Sequence, residues 1–160
     1  MAKPAAVTAP LLQQLYDYWD GRRRLRMMPL AADVSIADLD ALNDHLLVID
    51  VPRFPPGLAI RFQGEALVGI MGGDLIGRNL EAMRASEFSA LLQQASRSLL
   101  ATRAPQFVSE DCIHDGRAHH IEALLLPASR GGSSVDLLLC GILIDAAKAD
   151  SSQALPKVNS

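Results

Sequence analysis

The segment from Val135 to Ile144, near the end of the chain, is apolar at nearly every position. Successive side chains of a β-strand point to opposite faces of the sheet, so a half-exposed strand alternates apolar and polar residues. Here both alternations are apolar: Leu137, Leu139 and Leu143 form one, and Leu138, Cys140, Ile142 and Ile144 the other. We therefore predict a central strand that needs cover on both of its faces.

The residues before this strand predict a β-hairpin. Asp115-Gly116 is typical of a two-residue hairpin turn and separates two extended stretches, Gln106 to Ile113 and Ala118 to Leu126. This turn pairs His114 with Arg117 and places Cys112 opposite His119. With the last strand, three consecutive antiparallel strands are expected.

Helical periodicity predicts two main helices. The first runs from Leu11 to Met28 and is closed by Pro29, and the second begins after Ser86 and ends before Pro105. The apolar stripe of the first helix consists of Leu12, Leu15, Tyr16 and Trp19, and that of the second of Phe88, Leu91, Leu92, Ala95 and Leu99.

The middle of the chain predicts two strands followed by short helices. Leu46 to Val51 and Leu58 to Phe62 are strand-like and are separated by a proline-rich connection. Ser35 to Asp38 resembles a capping box that opens a short helix before them. Gly64 to Leu80 has glycines that favour tight turns. The order predicts the α+β class: a five-stranded antiparallel sheet with helices inserted between strands 2 and 3 and an additional N-terminal helix.

The bulk composition indicates one domain. The chain has 160 residues, of which 49% are hydrophobic and 21% charged, enough apolar residues for a single core. We expect disordered tails at residues 1–9 and 148–160, which are small, polar and proline-containing, and one domain over residues 10–147.

Charge and targeting signals limit the partners. The net charge of −3 provides no overall positive field for a nucleic acid, and two cysteines are too few for a disulfide scaffold. Neither a signal-peptide core nor a run of 18 apolar residues occurs. We expect a cytoplasmic protein with no nucleic-acid or membrane partner.

Four arginines lie close together at the predicted end of the first helix: Arg22, Arg23, Arg24 and Arg26. Asp20 lies three and four residues before two of them, a spacing that suits ion pairs on a helix surface. A solvated helix face is the favoured interpretation. The functional alternative is a patch that binds an anion or a phosphate.

Two glycine-containing stretches carry a resemblance to a known family. Arg61 to Leu67, followed by Gly73-Asp74-Leu75-Ile76-Gly77-Arg78-Asn79-Leu80, resembles the PAS fold, in which a Gly-x-x-x-Gly-Arg/Lys turn lies between short helices. The stretches Tyr18 to Leu30 and Leu39 to Val51 resemble a group of small proteobacterial proteins that consist of little beyond one PAS domain. The resemblance implies a domain that senses a ligand, cofactor, light or redox state, or that pairs with partner proteins.

The resemblance does not extend to the family's chromophores. Gly77-Arg78-Asn79 is similar to the start of the flavin motif of light-sensing relatives, but that motif needs a cysteine next, where this chain has Leu80. Haem-binding relatives commonly supply a histidine from the long helix, and Ser86 to Leu100 contains none. We expect no cofactor.

The predicted hairpin end has ionisable residues on both faces. Cys112, His114 and His119 share one face, but three ligands at a hairpin end without a fourth make a poor metal site, so no metal is expected. His120 and Glu122 lie on the other face, beside Asp111, where acid–base catalysis or a surface ion pair is open.

These patterns lead to one interpretation and one alternative. We expect a sensory or protein-interaction module without catalytic activity, which acts through an unidentified signalling partner and holds any small-molecule ligand between sheet and helices. The ligand-pocket candidates are Phe88, Leu91, Leu92, Leu124 and Ile142. A homodimer is expected through Leu12, Leu15, Tyr16 and Trp19, with Tyr18 widening this stripe. The alternative is a small cone-shaped α+β enzyme, similar to an isomerase, that uses His120 and Glu122.

Overall fold

The computed structural model describes residues 6–145 and contains three α-helices, several 3₁₀ helices and five strands. The α-helices are α1 (Pro10–Arg23), α2 (Val68–Met71) and α3 (Glu87–Thr102). The strands are β1 (Leu46–Asp50), β2 (Ala59–Gln63), β3 (Gln106–His114), β4 (Arg117–Ala128) and β5 (Leu137–Ile144). The 3₁₀ helices are Ala31–Asp33, Ile36–His45, Glu65–Leu67 and Leu80–Ala82.

All five strands form one antiparallel sheet in the order β2-β1-β5-β4-β3. The helices from Glu65 to Thr102 are inserted between β2 and β3, and α1 precedes the sheet, which confirms the predicted α+β architecture. β5 is central, as its two apolar alternations predicted. The hairpin register is also confirmed, since His114 pairs with Arg117 and Cys112 with His119.

The sheet separates two apolar layers, because β5 contributes alternate residues to each. We call the layer between the sheet and the inserted helices the inner core; it includes Leu138, Cys140 and Ile142. The outer core, between the sheet and α1 with the Ile36–His45 helix, includes Leu137, Leu139 and Leu143. Each face of the sheet therefore has its cover within the same chain.

Two predicted boundaries differ from the structure. α1 ends at Arg23, five residues before Met28, because Arg24 has φ 56° and leaves the helical conformation. At the other end, Val7 is buried in the outer core and its carbonyl accepts from the Gln13 side chain at 3.2 Å. Packing thus begins before the boundary expected at residue 10.

The short helix after Ser35 is a 3₁₀ helix, Ile36–His45, with a kink at Leu39. Ser35 accepts from the Ala37 N–H, so it caps the helix as expected. Asp38 does not complete a capping box, because its carboxylate instead accepts from the Tyr18 hydroxyl at 2.8 Å.

Part of the predicted domain organisation lies outside the described residues. This applies to residues 1–5 of the first tail, to the domain end at residue 147 and to the tail at residues 148–160. Between residues 6 and 145, no helix combines the length and the apolar character needed to cross a bilayer.

Candidate functional site

The inner core brings together most of the residues predicted to line a ligand pocket. Phe88 and Leu92 on α3 are 1% and 2% exposed, and Ile142 on β5 is fully buried in the same cluster. Leu91 is partly buried against this cluster. These four side chains lie between sheet and helices, as the sequence predicted; whether they contact a ligand stays a prediction.

Leu124 lies on the opposite face of the sheet. Its neighbour Ala123 is the residue of β4 that pairs with Ile142, and Leu124 itself packs in the outer core. Since successive strand residues face opposite sides, Leu124 cannot share a pocket with Ile142. Its grouping with the other four candidates is therefore wrong.

The four residues predicted to form a dimer contact are buried in the outer core of their own chain. Leu12, Leu15, Tyr16 and Trp19 are all 3% exposed or less. The Trp19 indole N–H also donates to the Pro127 carbonyl at 2.7 Å. Their predicted role is corrected accordingly, because α1 folds back on its own sheet and satisfies its apolar stripe there.

A glycine in the central strand permits this close docking of α1. A Cβ on Gly141 would lie 2.7 Å from Leu15 Cδ2 and 2.9 Å from Leu12 Cδ2, closer than carbon atoms normally approach. Gly141 pairs with Leu124 on β4. The absent side chain therefore leaves room for the two leucines.

Tyr18 ties α1 to the neighbouring 3₁₀ helix. Its hydroxyl donates to the Asp38 carboxylate and accepts from the Ser35 N–H at 3.0 Å. Burial is the largest cause of a raised pKa of the Tyr18 hydroxyl. Tyr18 thus makes its polar contacts within the chain, where we had expected it to widen a surface between subunits.

Gln63, a residue that the sequence reasoning did not single out, fastens the glycine-bounded loop to β2. The Gln63 side chain is 6% exposed; its amide donates to the Gly73 carbonyl at 3.0 Å and accepts from the Leu75 N–H at 2.7 Å. The signal was a single amide at the end of a predicted strand. Buried amides need such partners.

The three residues that share one face of the hairpin end differ in their burial. Cys112 is 3% exposed and belongs to the inner core. His114 and His119 are edge to face with ring centroids 6.2 Å apart, and His119 Nδ1 lies 2.8 Å from the Asp145 carboxylate. This contact is the largest cause of the lowered pKa of Asp145. Over residues 6–145, no three His, Cys, Asp or Glu side chains are arranged to hold a metal.

His120 and Glu122 lie on the α1 face of the sheet. His120 Nδ1 is 2.9 Å from the Asp111 carboxylate, and its Nε2 is 3.0 Å from the Ser109 hydroxyl. Glu122 is 7% exposed, and its carboxylate lies 3.7 Å from His120 Nε2. Both ring nitrogens of His120 therefore have neighbours within the chain, and neither residue faces the inner core.

A shallow cleft of about 120 Å³ lies where α3 meets the loop beside β2. Asn79 and Glu81 line its loop side, and Gln93 and Arg97 line its helix side. The Asn79 amide oxygen accepts from the Glu81 N–H and caps the short 3₁₀ helix. Leu80, the residue in the position of the flavin-linked cysteine, is completely buried.

Both cysteine thiols are expected to be unreactive in the folded protein. Cys140 is fully buried and Cys112 is 3% exposed, and burial raises the pKa of both thiols. A thiol-exchange reagent at neutral pH should label neither cysteine before unfolding and both in denaturant. Rapid labelling of either thiol in the native state would contradict the packing of the inner core.

Comparison with solved structures shows similarity to two light-oxygen-voltage proteins and to VqmA. A light-oxygen-voltage domain studied with a flavin analogue gives a TM-score of 0.53 at 17% identity and covers 74% of this chain and 92% of its own. The Rhodobacter sphaeroides LOV protein gives 0.52 at 14% identity, with 76% and 74% covered. VqmA from Vibrio cholera, in a complex with ligand and DNA, gives 0.51 at 15%, with 79% and 60% covered.

At these identities the structural similarity shows the fold alone. A search of the curated proteins found no significant match. The sequence does match a PAS domain family model over residues 7–144. Because this match extends from the first buried residue of the outer core to the last residue of β5, the chain belongs to the PAS domain family.

Proposed function

We propose that this chain is a sensory or protein-interaction module that performs no covalent chemistry and acts through a signalling partner protein in the cytoplasm. PAS domains generally serve sensing and interaction. The observation that carries the proposal is the composition of the inner core. The apolar members are accompanied by two cysteines, and burial raises the pKa of both thiols. The buried polar residues of β2 and α3, which are Gln63, Ser89 and Ser96, form hydrogen bonds with main-chain groups. Such an interior offers no acid, base or activated nucleophile.

The environment of His120 gives little support to the isomerase alternative. The contacts of His120 with the Asp111 carboxylate and the Ser109 hydroxyl would not by themselves prevent general-base catalysis, because catalytic histidines make similar contacts. Ser109 and Asp111 are both exposed, however, so no enclosed pocket forms around this group within the described residues. The neighbouring Glu122 carboxylate is nearly buried on the same outer face. The cluster is better suited to fastening β3 to β4.

Any small ligand held between sheet and helices would contact Phe88, Leu91, Leu92 and Ile142. These residues already pack with neighbouring side chains, as in a filled protein interior. We therefore favour interaction with a partner protein over ligand binding as the role of this domain. A small molecule retained by the purified protein would favour ligand binding instead.

Native protein is expected to carry no flavin or haem. Leu80 replaces the cysteine of the flavin motif, and α3 contains no histidine that could ligate haem iron. Purification without denaturant should give protein without the absorption bands of flavin or haem, and its native mass should equal that of the bare chain.

A flavin or haem spectrum, or a stoichiometric small molecule in the native mass spectrum, would overturn this prediction. Protein refolded from denaturant without added cofactor is the matched control, because it should have the same spectrum and mass. A native sample that is heavier than the refolded one would identify the retained molecule by its mass difference.

A further inference from the structure

The end of α1 leads into a loop with two exposed apolar side chains. In the loop Arg24 to Met27, Leu25 is 103% exposed and Met27 is 56% exposed. A soluble surface tolerates scattered apolar residues, but a leucine that contacts almost nothing at the tip of a loop has no packing role. Such exposure suits a side chain that contacts another molecule.

Arginines flank these two side chains in the sequence. Arg23 pairs with Asp20 at 2.8 Å, as the helix-surface interpretation expected for one of its two pairs. Arg22 instead pairs at 3.3 Å with Asp38 of the neighbouring 3₁₀ helix. By contrast, Arg24 and Arg26 form no ion pair within residues 6–145. The arginine cluster thus divides into an anchored pair on α1 and a free pair beside Leu25.

The loop is held firmly at both of its ends. The Arg23 side chain donates to the Arg26 carbonyl at 2.9 Å, and the Arg26 N–H donates to the Arg23 carbonyl at 2.9 Å. Met28 is fully buried, and Leu30 forms a β-bridge with Ser129. Leu25 and its two free arginines are therefore presented outward by a closed turn, which reduces the entropy cost of binding.

We propose that the loop Arg24–Met27 docks on an anionic phospholipid surface, with Leu25 and Met27 entering the headgroup region and Arg24 and Arg26 contacting lipid phosphates. A lipid surface attracts clustered cations and accepts protruding apolar side chains. It also needs no shape complementarity, whereas a folded partner would need a groove for the protruding Leu25. This contact goes beyond the proposed signalling function and does not depend on it.

The expectation of no membrane partner rested on the absence of a signal-peptide core and of a run of 18 apolar residues. Neither bears on a peripheral contact, because a local group of cations acts within about 10 Å of the lipid surface, whatever the charge of the remainder. Phe54, in the β1–β2 connection, is 89% exposed. This connection lies at the same end of the sheet as the β4–β5 turn, where Ser129 forms the bridge with Leu30. A second apolar contact at this end would strengthen the docking.

Vesicle sedimentation with the full chain tests the proposal. Wild-type protein should sediment with phosphatidylcholine vesicles that contain phosphatidylglycerol, and not with phosphatidylcholine alone. Leu25→Ser should weaken binding about tenfold, and Arg24→Gln and Arg26→Gln about fivefold each. Ile113→Ser, at the other end of the sheet, and Arg97→Gln on α3 are the matched controls, which should bind within about twofold of wild type.

Absence of wild-type binding to anionic vesicles would overturn the proposal. So would binding that is equally weakened by the control substitutions, or unchanged by Leu25→Ser. If the chain does not sediment with vesicles but binds a soluble acidic polypeptide through Arg24 and Arg26, the loop recognises an acidic protein and the membrane proposal is wrong. Circular dichroism of each variant keeps misfolding distinct from lost binding, and Leu25 is too exposed for Leu25→Ser to unfold the chain.

Discussion

Trp19→Ala is expected to lower the free energy of unfolding by about 3–5 kcal/mol, the range for truncating a large buried aromatic side chain. Trp19 is fully buried between α1 and the sheet, and its indole N–H is the donor to the Pro127 carbonyl. The substitution removes apolar contact from the outer core and leaves that carbonyl without its partner. Urea unfolding followed by circular dichroism measures the loss.

Two further substitutions separate the contributions. Trp19→Phe keeps an aromatic ring and removes the donor, so it should cost less than Trp19→Ala. Leu25→Ser, a few residues along the chain but fully exposed, should change stability by no more than about 0.5 kcal/mol. Equal stability of Trp19→Ala and wild type would mean that α1 does not pack on its own sheet.

The same helix bears on the predicted homodimer. A two-fold dimer remains our expectation for the protein. Because Trp19 is internal, Trp19→Glu should unfold the chain and would therefore not test the dimer contact. Light scattering on the unaltered chain measures the oligomeric state directly. If it shows a dimer, the contact uses side chains other than the buried stripe of α1.

The sheet was predictable from local signals. The Asp115-Gly116 turn sets the β3–β4 register, because a two-residue hairpin pairs the residues on either side of it. The two apolar alternations of β5 required cover on both faces, which is a property of the strand alone. These features depend on short-range geometry that the sequence contains.

The face assignment of Leu124 was not predictable in this way. From Ile121 to Leu126, β4 is buried on both alternations, so its own pattern does not distinguish the two faces. The β4–β5 connection is too long for its length to set the register with Ile142. Only the observed pairing of Ala123 with Ile142 decides which residues of β4 belong to the inner core.

The contacts of α1 depended on long-range packing in a similar way. An apolar stripe can pack on its own sheet or on a second subunit, and the helical period is the same in both cases. The deciding features were Gly141, which lies far along the chain and leaves space for Leu12 and Leu15, and Asp38, which engages Tyr18. Neither is visible in the pattern of the helix itself.

Phe88→Ala should destabilise the chain by about 3–5 kcal/mol if the inner core is a filled interior. Phe88 is 1% exposed in the first turn of α3, beside the Ser86 cap that fixes the start of that helix. Removing its ring leaves a cavity that rigid strands on one side and a capped helix on the other cannot easily close. Thermal unfolding should show a fall in Tm of about 2–4 °C for each kcal/mol lost.

Gln94→Ala is the matched control, since Gln94 is exposed on α3 and alanine favours the helix, so its stability should stay within about 0.5 kcal/mol of wild type. The new cavity in Phe88→Ala is lined by apolar residues and should bind a small apolar molecule such as benzene, which would restore part of the lost Tm. The two accounts of the inner core then differ in the size of the stability loss and in whether benzene raises the Tm of the wild type. If the core is filled, Phe88→Ala should lose much stability, and benzene should partly restore it. If the core is an open ligand pocket, Phe88 lines space that is already empty, so the loss of stability should be small. Benzene should then raise the Tm of the wild type as well.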